Sequence, residues 1–315
     1  MINMQKQTIG IFGSTGHISQ NLISYFYKNN YGKLILFSRN KSKLKNIFKK
    51  YDKNNFIYET YSNFPKYTFD VIINCIGEAN PASNYSAKYF DDVNYYDDKI
   101  IYYIQKYPKT LYLNFSSGIV YGKDFTNPVT DKRNTLLDLD EFHSDDFYAF
   151  SKIYSELKHR SYPDLNIIDL RIFSFFSRHI DLKYKFLINE LIDSIKNNTI
   201  FYTDDNDIVR DYIHPFDLYS IVTNCIDKKD SNVAIDVKSK KPISKFQLLD
   251  YLKKQYNLKF EIKNKNFLST ELKTNYFSKS KKLHKLLNFT PKFSSLDSFK
   301  DELDFVVNSL KKYDY

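Results

Sequence analysis

The sequence predicts an α/β fold in which a doubly wound parallel sheet is joined to a smaller C-terminal lobe. Two observations support this prediction. Short apolar strands rich in β-branched residues alternate with amphipathic helices along residues 7–172, and such alternation is typical of a parallel sheet covered by helices on both faces. After residue 172 the alternation becomes irregular, which indicates a smaller lobe with some segments returning to the sheet.

The strands and helices can be assigned in chain order. The first buried strand is "QTIGIFG", and "GSTGHISQNLISYFYKNN" continues it as a turn and then a helix with apolar residues at helical spacing. Further strands are predicted in "KLILFSR", "NFIYETY", "FDVIINCIG" and "TLYLNFSS", with a lysine-rich helix after the second strand and another helix in "VNYYDDKIIYYIQKY". Later helices in "KFLINELIDSIKNN" and "KFQLLDYLKKQY" are mixed with short strands such as "NVAIDVKS".

Composition narrows the class of protein. The chain has 315 residues, 42% of them hydrophobic, and no apolar run approaches the length of a membrane span. The net charge of +10 is spread over surface segments without a nucleic-acid-binding module, so we expect no nucleic-acid partner, although a basic surface would suit an anionic ligand. The N-terminus is too polar for a secretory signal, and Cys75 and Cys225 lie in apolar segments. We therefore expect a soluble cytoplasmic protein with reduced cysteines, no membrane partner and no metal site.

Gly13 and Gly16, followed by Ser19, form the turn between the first strand and the first helix. Such a turn lets the backbone approach a pyrophosphate, which rests on the helix N-terminus. The alternative is a strand-to-helix turn without a ligand. Two of the chain's seven glycines fall within these four residues, which indicates a requirement of the backbone and favours a dinucleotide site.

The end of the second strand bears on the choice of dinucleotide. An acidic residue there would accept hydrogen bonds from the adenosine ribose and favour NAD(H), but this chain has Ser38 and Arg39. Arginine cannot accept a hydrogen bond but pairs well with a 2′-phosphate. Lys41 and Lys43 add positive charge, or belong to a solvated helix start. The pattern favours NADP(H) over NAD(H).

Tyr148 and Lys152 in "FYAFSK" are four residues apart, which places both on one face of a helix. Tyrosine-x-x-x-lysine arises by chance in a chain with 28 tyrosines, so the pair alone decides nothing. Ser116 and Ser117 end a strand at the edge of the sheet where ligands bind. A tyrosine can protonate a carbonyl oxygen during hydride transfer when a nearby ammonium lowers its pKa, and a serine can hold that oxygen.

An ordered set of segments now identifies the family. The chain resembles an extended short-chain dehydrogenase/reductase of the nucleotide-sugar epimerase/dehydratase group, over about residues 7–305. The matching segments are "GSTGHIS", "DVIINCIG", "VNYYDDKI", "SSGIVYG", "YAFSK", "LRIFSFFSR", "VRDYIHPFDL", "NVAIDVKSKKPIS" and "SKKLHKLLNFTPK". The resemblance implies a Rossmann-type dinucleotide-binding domain at residues 1–172. It also implies that residues 173–315 are mainly a nucleotide-sugar-binding lobe.

The resemblance assigns roles residue by residue. Ser117 would orient the substrate, Tyr148 would act as acid/base and Lys152 would be its partner. The implied cofactor contacts are Gly13, Thr15, Gly16, His17, Ile18, Ser38, Arg39, Cys75, Ile76, Gly77, Tyr148, Lys152 and Phe173. The implied substrate contacts are Ser117, Ser174, His179 and Arg210. Arg210 would bind the diphosphate of the nucleotide sugar, or alternatively pair with Asp211 or Asp217.

Departures from the family pattern guide the choice of reaction. Ser174 stands where the family has Asn, and Ser177 and Arg178 replace a Gly-Pro that follows, so diphosphate contacts there are in doubt. Gly118 and Ile119 stand where 4,6-dehydratases have acidic residues, which argues against dehydration. The resemblance and Arg39 together favour an NADPH-dependent reductase of a nucleotide-linked 4-keto-6-deoxy sugar in bacterial surface-polysaccharide synthesis.

Other functions remain open. A nucleotide-sugar epimerase is the first alternative, and His179 would allow an epimerase step alongside reduction, although a surface or substrate contact is the plainer interpretation of that histidine. A module that only senses NADP(H) is a third possibility, but such modules typically lose Tyr148 or Lys152. The resemblance also implies a homodimer through the two helices in "NYYDDKIIYYIQKY" and "YAFSKIYSELKHR", whose apolar residues are equally compatible with packing inside one chain.

Overall fold

The computed structural model describes residues 7–51, 56–77, 87–135, 140, 143, 146–228, 231–263 and 273–311. The strands, in chain order, are β1 Thr8–Phe12, β2 Lys33–Phe37, β3 Phe56–Glu59, β4 Val71–Asn74, β5 Leu111–Ser117, β6 Ile167–Ile172, β7 Ser174–Phe175, β8 Ile200–Thr203, β9 Val209–Arg210, β10 Tyr212–Ile213, β11 Asn232–Val237, β12 Ile243–Ser244, β13 Lys259–Ile262 and β14 Asn275–Tyr276. The α-helices are α1 His17–Lys28, α2 Lys41–Ile47, α3 Ala87–Lys106, α4 Phe147–Arg160, α5 Leu187–Asn197, α6 Pro215–Asp227, α7 Lys245–Tyr256, α8 Lys282–Leu287 and α9 Ser295–Lys311.

Seven of the strands form one parallel sheet, in the order β11-β6-β5-β4-β1-β2-β3. The predicted α/β class with a doubly wound parallel sheet is therefore confirmed. The strand order reverses at β1, which lies between β4 and β2. A crevice opens at the carboxyl ends of the strands at such a reversal, and ligands bind there in open α/β sheets.

Helices cover both faces of this sheet because strands such as β1, β2 and β4 carry apolar side chains on both sides. On one face, α1, α6 and α8 pack through side chains such as Leu22, Leu218 and Leu283 against the strand residues Ile11 and Ile73. On the other face, Ile100, Ile101 and Ile104 of α3 join the strand residues Phe12, Phe37 and Tyr112. Continuous burial on both faces is the reason why these strands read as unbroken apolar runs in the sequence.

A second hydrophobic core lies among the C-terminal elements. Leu191 of α5, Leu249 of α7 and Phe299 of α9 are buried together there. Short strands accompany this core: β12, β9 and β14 form one small sheet, while β13 pairs with β8 and β10 with β7. β11 follows residue 172 in the chain but lies in the main sheet. A boundary between two domains at residue 172 therefore stays a prediction. Within the described part of the chain, no helix is long and apolar enough to cross a membrane.

A charged network is buried between the sheet and the helices α3 and α4. His159 is 0% exposed and lies between two carboxylates, with Nδ1 2.9 Å from Asp169 and Nε2 3.0 Å from Asp97. Arg160 donates to Asp169 at 2.6 Å, and Lys158 lies 2.6 Å from Asp97. Burial alone would lower the pKa of His159, but the two carboxylates raise it to about 10. The imidazole is therefore charged at neutral pH, and it ties both helices to β6.

Candidate active site

The glycine loop between β1 and α1 has the backbone that a bound phosphate requires. Gly13 has φ +70°, and a Cβ there would stand 2.8 Å from the Cys75 carbonyl oxygen, so only glycine fits. Ser19, at the third position of the loop, donates to the carbonyl of Gly13 at 2.7 Å and thereby closes the turn. Gly16 caps α1 without a side-chain hydrogen bond, and no acidic residue lies in the first turn. These features fit the pyrophosphate of a dinucleotide.

The other two loop residues named from the sequence have neighbours of their own. The Thr15 carbonyl accepts from the Gln20 side chain at 3.0 Å, and Ile18 packs against the main core. Thr15 and Ile18 therefore stabilise the loop and the start of α1. Their contact with a cofactor stays a prediction.

The ends of β2 and β3 frame the next part of the crevice. Ser38 is buried, and its hydroxyl donates to the Asn40 carbonyl at 2.8 Å, so it shapes the turn into α2. Arg39 is exposed beside it. Tyr61, which sequence reasoning did not single out, accepts a hydrogen bond from the Gly13 amide at 3.1 Å and stacks on Phe12. An aromatic side chain thus connects the loop after β3 to the glycine loop.

The segment after β4 forms the opposite wall of the crevice. The Cys75 amide donates to the Phe12 carbonyl at 3.0 Å, which places the two strand ends side by side. The Ile76 amide donates to the Asn74 side chain at 3.0 Å. A Cβ on Gly77 would meet nothing within 4 Å, so there is open space next to this backbone. Gly13 and Cys75 therefore lie side by side, with open space next to Gly77. Contact of these residues with a dinucleotide stays a prediction.

Ser117, Tyr148 and Lys152 are brought together at the end of β5. The Ser117 hydroxyl faces the Tyr148 phenol, and the Lys152 Nζ lies 6.0 Å from the centre of the Tyr148 ring. Lys152 also donates to the Phe115 carbonyl at 2.8 Å, which fixes the ammonium beneath the strand end. The helical spacing that predicted a shared face holds in the structure, because α4 begins at Phe147.

Burial sets the proton affinities of the two side chains on α4. Burial raises the pKa of Tyr148, and the hydrogen bond from Ser117 opposes this shift. Burial lowers the pKa of Lys152, while the carboxylates of Asp97 and Asp169 oppose that shift. The charged network behind α4 therefore favours the ammonium form of Lys152. An ammonium close to Tyr148 in turn favours its phenolate.

Tyr276 also reaches this centre, although no motif in the sequence indicated it. Its hydroxyl lies 3.2 Å from the Ser117 Oγ, although the two residues are 159 positions apart in the chain. Its ring packs against Phe173, at 5.1 Å between ring centres, and against Phe125, at 4.6 Å. Phe173 itself lies over Gly118, where a Cβ would come within 2.5 Å of the Phe173 ring. No spacing signal could have found Tyr276, because it enters the site through the pairing of β14 with β9.

Residues assigned to the substrate lie near Tyr276 or on the adjoining short strands. Arg210 is opposite Tyr276 in the β9–β14 pair, and its guanidinium donates to the carbonyls of Val209 at 3.0 Å and Lys273 at 2.7 Å. Ser174 pairs with Tyr212 across β7 and β10. The alternative partners of Arg210, Asp211 and Asp217, accept hydrogen bonds from other groups. Asp211 accepts from the Ser239 amide at 3.0 Å, and Asp217 from the Lys292 amide at 2.9 Å.

The Ser177–Arg178 departure from the family pattern has a structural explanation. The His17 Nε2 lies 2.9 Å from the Ser177 Oγ, so the glycine loop contacts the segment after β7. The guanidinium of Arg178 donates two hydrogen bonds of 2.8 Å to Glu302 of α9, and its backbone amide donates a third at the same distance. Burial lowers the pKa of His17 to about 3 and that of His179 to about 4, so both rings are neutral at physiological pH. His17 is thus held by a protein contact, and its predicted contact with a cofactor stays a prediction.

Comparisons with known proteins identify the family and the fold. The sequence profile described as "NAD dependent epimerase/dehydratase family" matches residues 9–237. The chain belongs to this family. A search of curated protein sequences gave no significant match.

Solved structures share the fold along nearly the whole chain. One is the UDP-N-acetylglucosamine 4-epimerase from Methanobrevibacter ruminantium in complex with UDP-N-acetylmuramic acid, with a TM-score of 0.77 and 17% identity over 98% of this chain and 99% of that one. A second is the UDP-glucuronic acid 4-epimerase from Bacillus cereus in complex with UDP-glucuronic acid and NAD, at 0.77 and 15% over 96% and 99%. A third is the dTDP-glucose 4,6-dehydratase from Bacillus anthracis in complex with NAD, at 0.74 and 16% over 98% and 97%.

Proposed function

We propose that this family member is an NADPH-dependent reductase of a nucleotide-linked 4-keto-6-deoxy sugar, in the synthesis of a bacterial surface polysaccharide. The observation that carries the proposal is the convergence of Ser117, Tyr148 and Lys152 at the end of β5, next to the crevice of the glycine loop. A bound nicotinamide dinucleotide would supply the hydride for C4 of the sugar.

The chain's own side chains manage the oxygen at C4. Ser117 donates a hydrogen bond to the carbonyl oxygen and holds it next to Tyr148. Tyr148 gives its proton to that oxygen as the alcohol forms. The ammonium of Lys152 stabilises the phenolate that is left. Arg210, within reach of the ring of Tyr276, would bind the diphosphate, and Ser174 and His179 would complete the substrate contacts.

The packing of Gly118 argues against a dehydratase. A carboxylate at this position would serve as acid or base in the elimination of water, but a Cβ there would stand 2.5 Å from the Phe173 ring. Any side chain at residue 118 would therefore displace Phe173. The neighbouring position, Ile119, is buried and apolar. This part of the chain supports a reaction that needs one acid, Tyr148, rather than an acid and a base.

A nucleotide-sugar epimerase is the second candidate. It is favoured by the names of two of the solved structures above, which are 4-epimerases. Such an enzyme would oxidise and reduce the same sugar at C4 with no net consumption of the dinucleotide, and Tyr148 would first accept and then return the proton. A variant of this candidate combines epimerisation at C3 and C5 with reduction, which would give His179 a part.

Absorbance of the nicotinamide tests the two candidates directly. Purified protein is mixed with NADPH or NADH and a panel of 4-keto-6-deoxy sugars linked to GDP, CDP, UDP or dTDP. We expect rapid loss of NADPH absorbance with one member of the panel and slower loss of NADH. Interconversion of C4 epimers by protein with bound NAD, without net change in absorbance, would replace the reductase with the epimerase.

The preference for NADPH is proposed to depend on Arg39, which is exposed at the end of β2. Arg39→Ala removes a partner for the 2′-phosphate, and we expect KM for NADPH to rise about tenfold while KM for NADH stays unchanged. Lys45→Ala, on the adjacent helix α2, is the matched control and should alter neither value. Equal changes in KM for the two cofactors would show that Arg39 does not bind the 2′-phosphate.

A homodimer through α3 and α4 is also proposed. These helices expose apolar side chains on one side of the molecule: Tyr95 (54%), Tyr102 (62%), Tyr154 (39%) and Leu157 (66%). Leu157→Asp places a charge on this surface and should weaken the dimer at least about tenfold, as measured by light scattering after size-exclusion chromatography. Ile262→Asp, at a similarly exposed residue on β13, should leave the dimer intact. A wild-type monomer at micromolar concentration would contradict the proposal.

A further inference from the structure

Two phenol groups approach the hydroxyl of Ser117 from different parts of the chain. Tyr148, on α4, faces the Ser117 hydroxyl, and the Tyr276 hydroxyl lies 3.2 Å from the Ser117 Oγ. The Ile119 amide donates to the same oxygen at 3.3 Å. A serine hydroxyl has one proton and two acceptor positions, so only one of the two phenols can accept the Ser117 proton.

Only one direction for the Tyr276 hydrogen bond leaves Ser117 able to act. If Ser117 donated to Tyr276, its only proton would be used and none would remain for a substrate oxygen. If Tyr276 donates, its hydroxyl and the Ile119 amide fill both acceptor positions of Ser117. The Ser117 proton then has to point away from both, towards Tyr148.

We infer that Tyr276 is a positioning residue for the proposed reaction, and that its hydroxyl donates to Ser117 and so directs the Ser117 proton towards Tyr148 and the incoming carbonyl oxygen. The inference rests on the proposed function, because Ser117 needs a directed proton only where a carbonyl oxygen is bound. It assigns Tyr276 no contact with the substrate.

The backbone holds Tyr276 firmly enough for this role. Tyr276 is opposite Arg210 in the parallel pair of β14 and β9. The Asn275 amide donates to the Phe125 carbonyl at 2.7 Å, and the Val129 amide to the Phe277 carbonyl at 2.9 Å. Bonds on both sides of Tyr276 therefore connect it to the segment that follows Ser117. The rings of Phe125 and Phe173 pack against its ring and restrict the position of its hydroxyl.

The ionisation of Tyr148 reports on the direction of the Ser117 proton. The described ionisable groups that face Tyr148 are Lys152 on its own helix, Tyr276 on β14 and, at 6.4 Å between ring centres, Tyr89 on α3. Burial raises the pKa of Tyr148, and the hydrogen bond with Ser117 opposes the shift. Without the Tyr276 hydroxyl, one acceptor position of Ser117 is empty, and the Ser117 hydroxyl is free to rotate away from Tyr148. The pKa of Tyr148 should then rise.

Tyr276→Phe keeps the ring and removes only the hydroxyl. We expect kcat to fall about tenfold with little change in KM, and the pH at which kcat changes with the ionisation of Tyr148 to move upwards. Tyr256→Phe is the matched control, since its hydroxyl donates to Asp304 at 2.7 Å outside the site. An unchanged kcat and pH profile in Tyr276→Phe would overturn the inference, as would a change confined to KM.

A measurement without substrate separates this inference from the proposed function. Carbon-13 labelling of the tyrosine rings allows the phenols to be titrated by nuclear magnetic resonance, and Tyr148→Phe identifies the Tyr148 signal by its loss. Tyr276→Phe should raise the pKa read from that signal. If the wild-type protein turns over no keto sugar, the proposed function fails, and this titration alone decides the positioning role. An unshifted Tyr148 signal would refute it in either case.

Discussion

Tyr148→Phe is expected to lower turnover of the keto sugar by a factor of about 10²–10⁴, which is the range for loss of a general acid. The substitution leaves the ring in place and removes the proton that the proposed reaction gives to the oxygen at C4. Affinity for NADPH should stay close to that of the wild type, because the glycine loop and the strand ends are unchanged. Steady-state kinetics and a fluorescence titration with NADPH measure the two quantities separately.

Tyr154→Phe is the matched control for this substitution. Tyr154 lies on the same helix, but it is 39% exposed, so turnover should not change. If Tyr148→Phe had full activity, the assignment of the acid would be wrong. If the wild type bound NADPH without any turnover and Tyr148→Phe bound it equally well, the third possibility, a module that senses NADP(H), would replace the enzyme.

His159→Leu is expected to lower the free energy of unfolding by about 3–5 kcal/mol, the typical cost of removing one partner from a buried ionic pair. His159 is 0% exposed and lies between Asp97 and Asp169. Its loss leaves two buried carboxylates with less compensating charge. Unfolding in urea, followed by circular dichroism, measures the change. Lys300→Ala, which breaks an exposed ion pair with Asp297 at 3.7 Å, is the control and should cost at most about 1 kcal/mol.

The pH dependence of stability gives an independent check on the charge of His159. The folded protein raises its pKa from 6.5 to about 10, so its contribution is complete below pH 6.5 and is lost as the pH rises towards 10. Burial would raise the pKa of Asp97, but His159 and Lys158 lower it from 3.8 to about 2, so this contribution is lost as the pH falls below 3.8. The difference between wild type and His159→Leu should therefore be largest between pH 4 and pH 6.5. A difference that stays constant up to pH 10 would mean that His159 is neutral.

The main sheet could be predicted from sequence because its strands are buried on both faces. Segments such as "KLILFSR" and "FDVIINCIG" contain short uninterrupted apolar runs and are separated by helices, and they appear as β2 and β4 in the parallel sheet. The C-terminal elements were harder to predict because strands such as β9, β10 and β14 are two residues long. Strands this short form because they pair with distant segments of the chain. The local sequence does not specify those partners, so the strands could not be predicted from it.

In the site, as in the sheet, the parts that depend on local spacing could be predicted from the sequence. Tyr148 and Lys152 lie on one helix, so their spacing along the chain contains their geometry. Ser117 ends a strand, and parallel strands end at the same edge of a sheet. Tyr276 and the partner of His17 could not be predicted, since each depends on a contact across about 160 residues. The identity of Ser177 makes sense only once its hydrogen bond to the glycine loop is known.

The position of β11 in the sheet has a consequence for synthesis on the ribosome. β11 pairs with β6, and Asn166 and Ser231, which are bonded next to this pair, are 65 residues apart. At a translation rate of about 5–20 residues per second, the outer edge of β6 lacks its neighbour for roughly 3–13 s after it is made. An unpaired apolar edge is a template for association with other chains. The nascent protein is therefore most prone to aggregation before residue 237 has left the exit tunnel, and a chaperone that holds it during this interval would improve its yield.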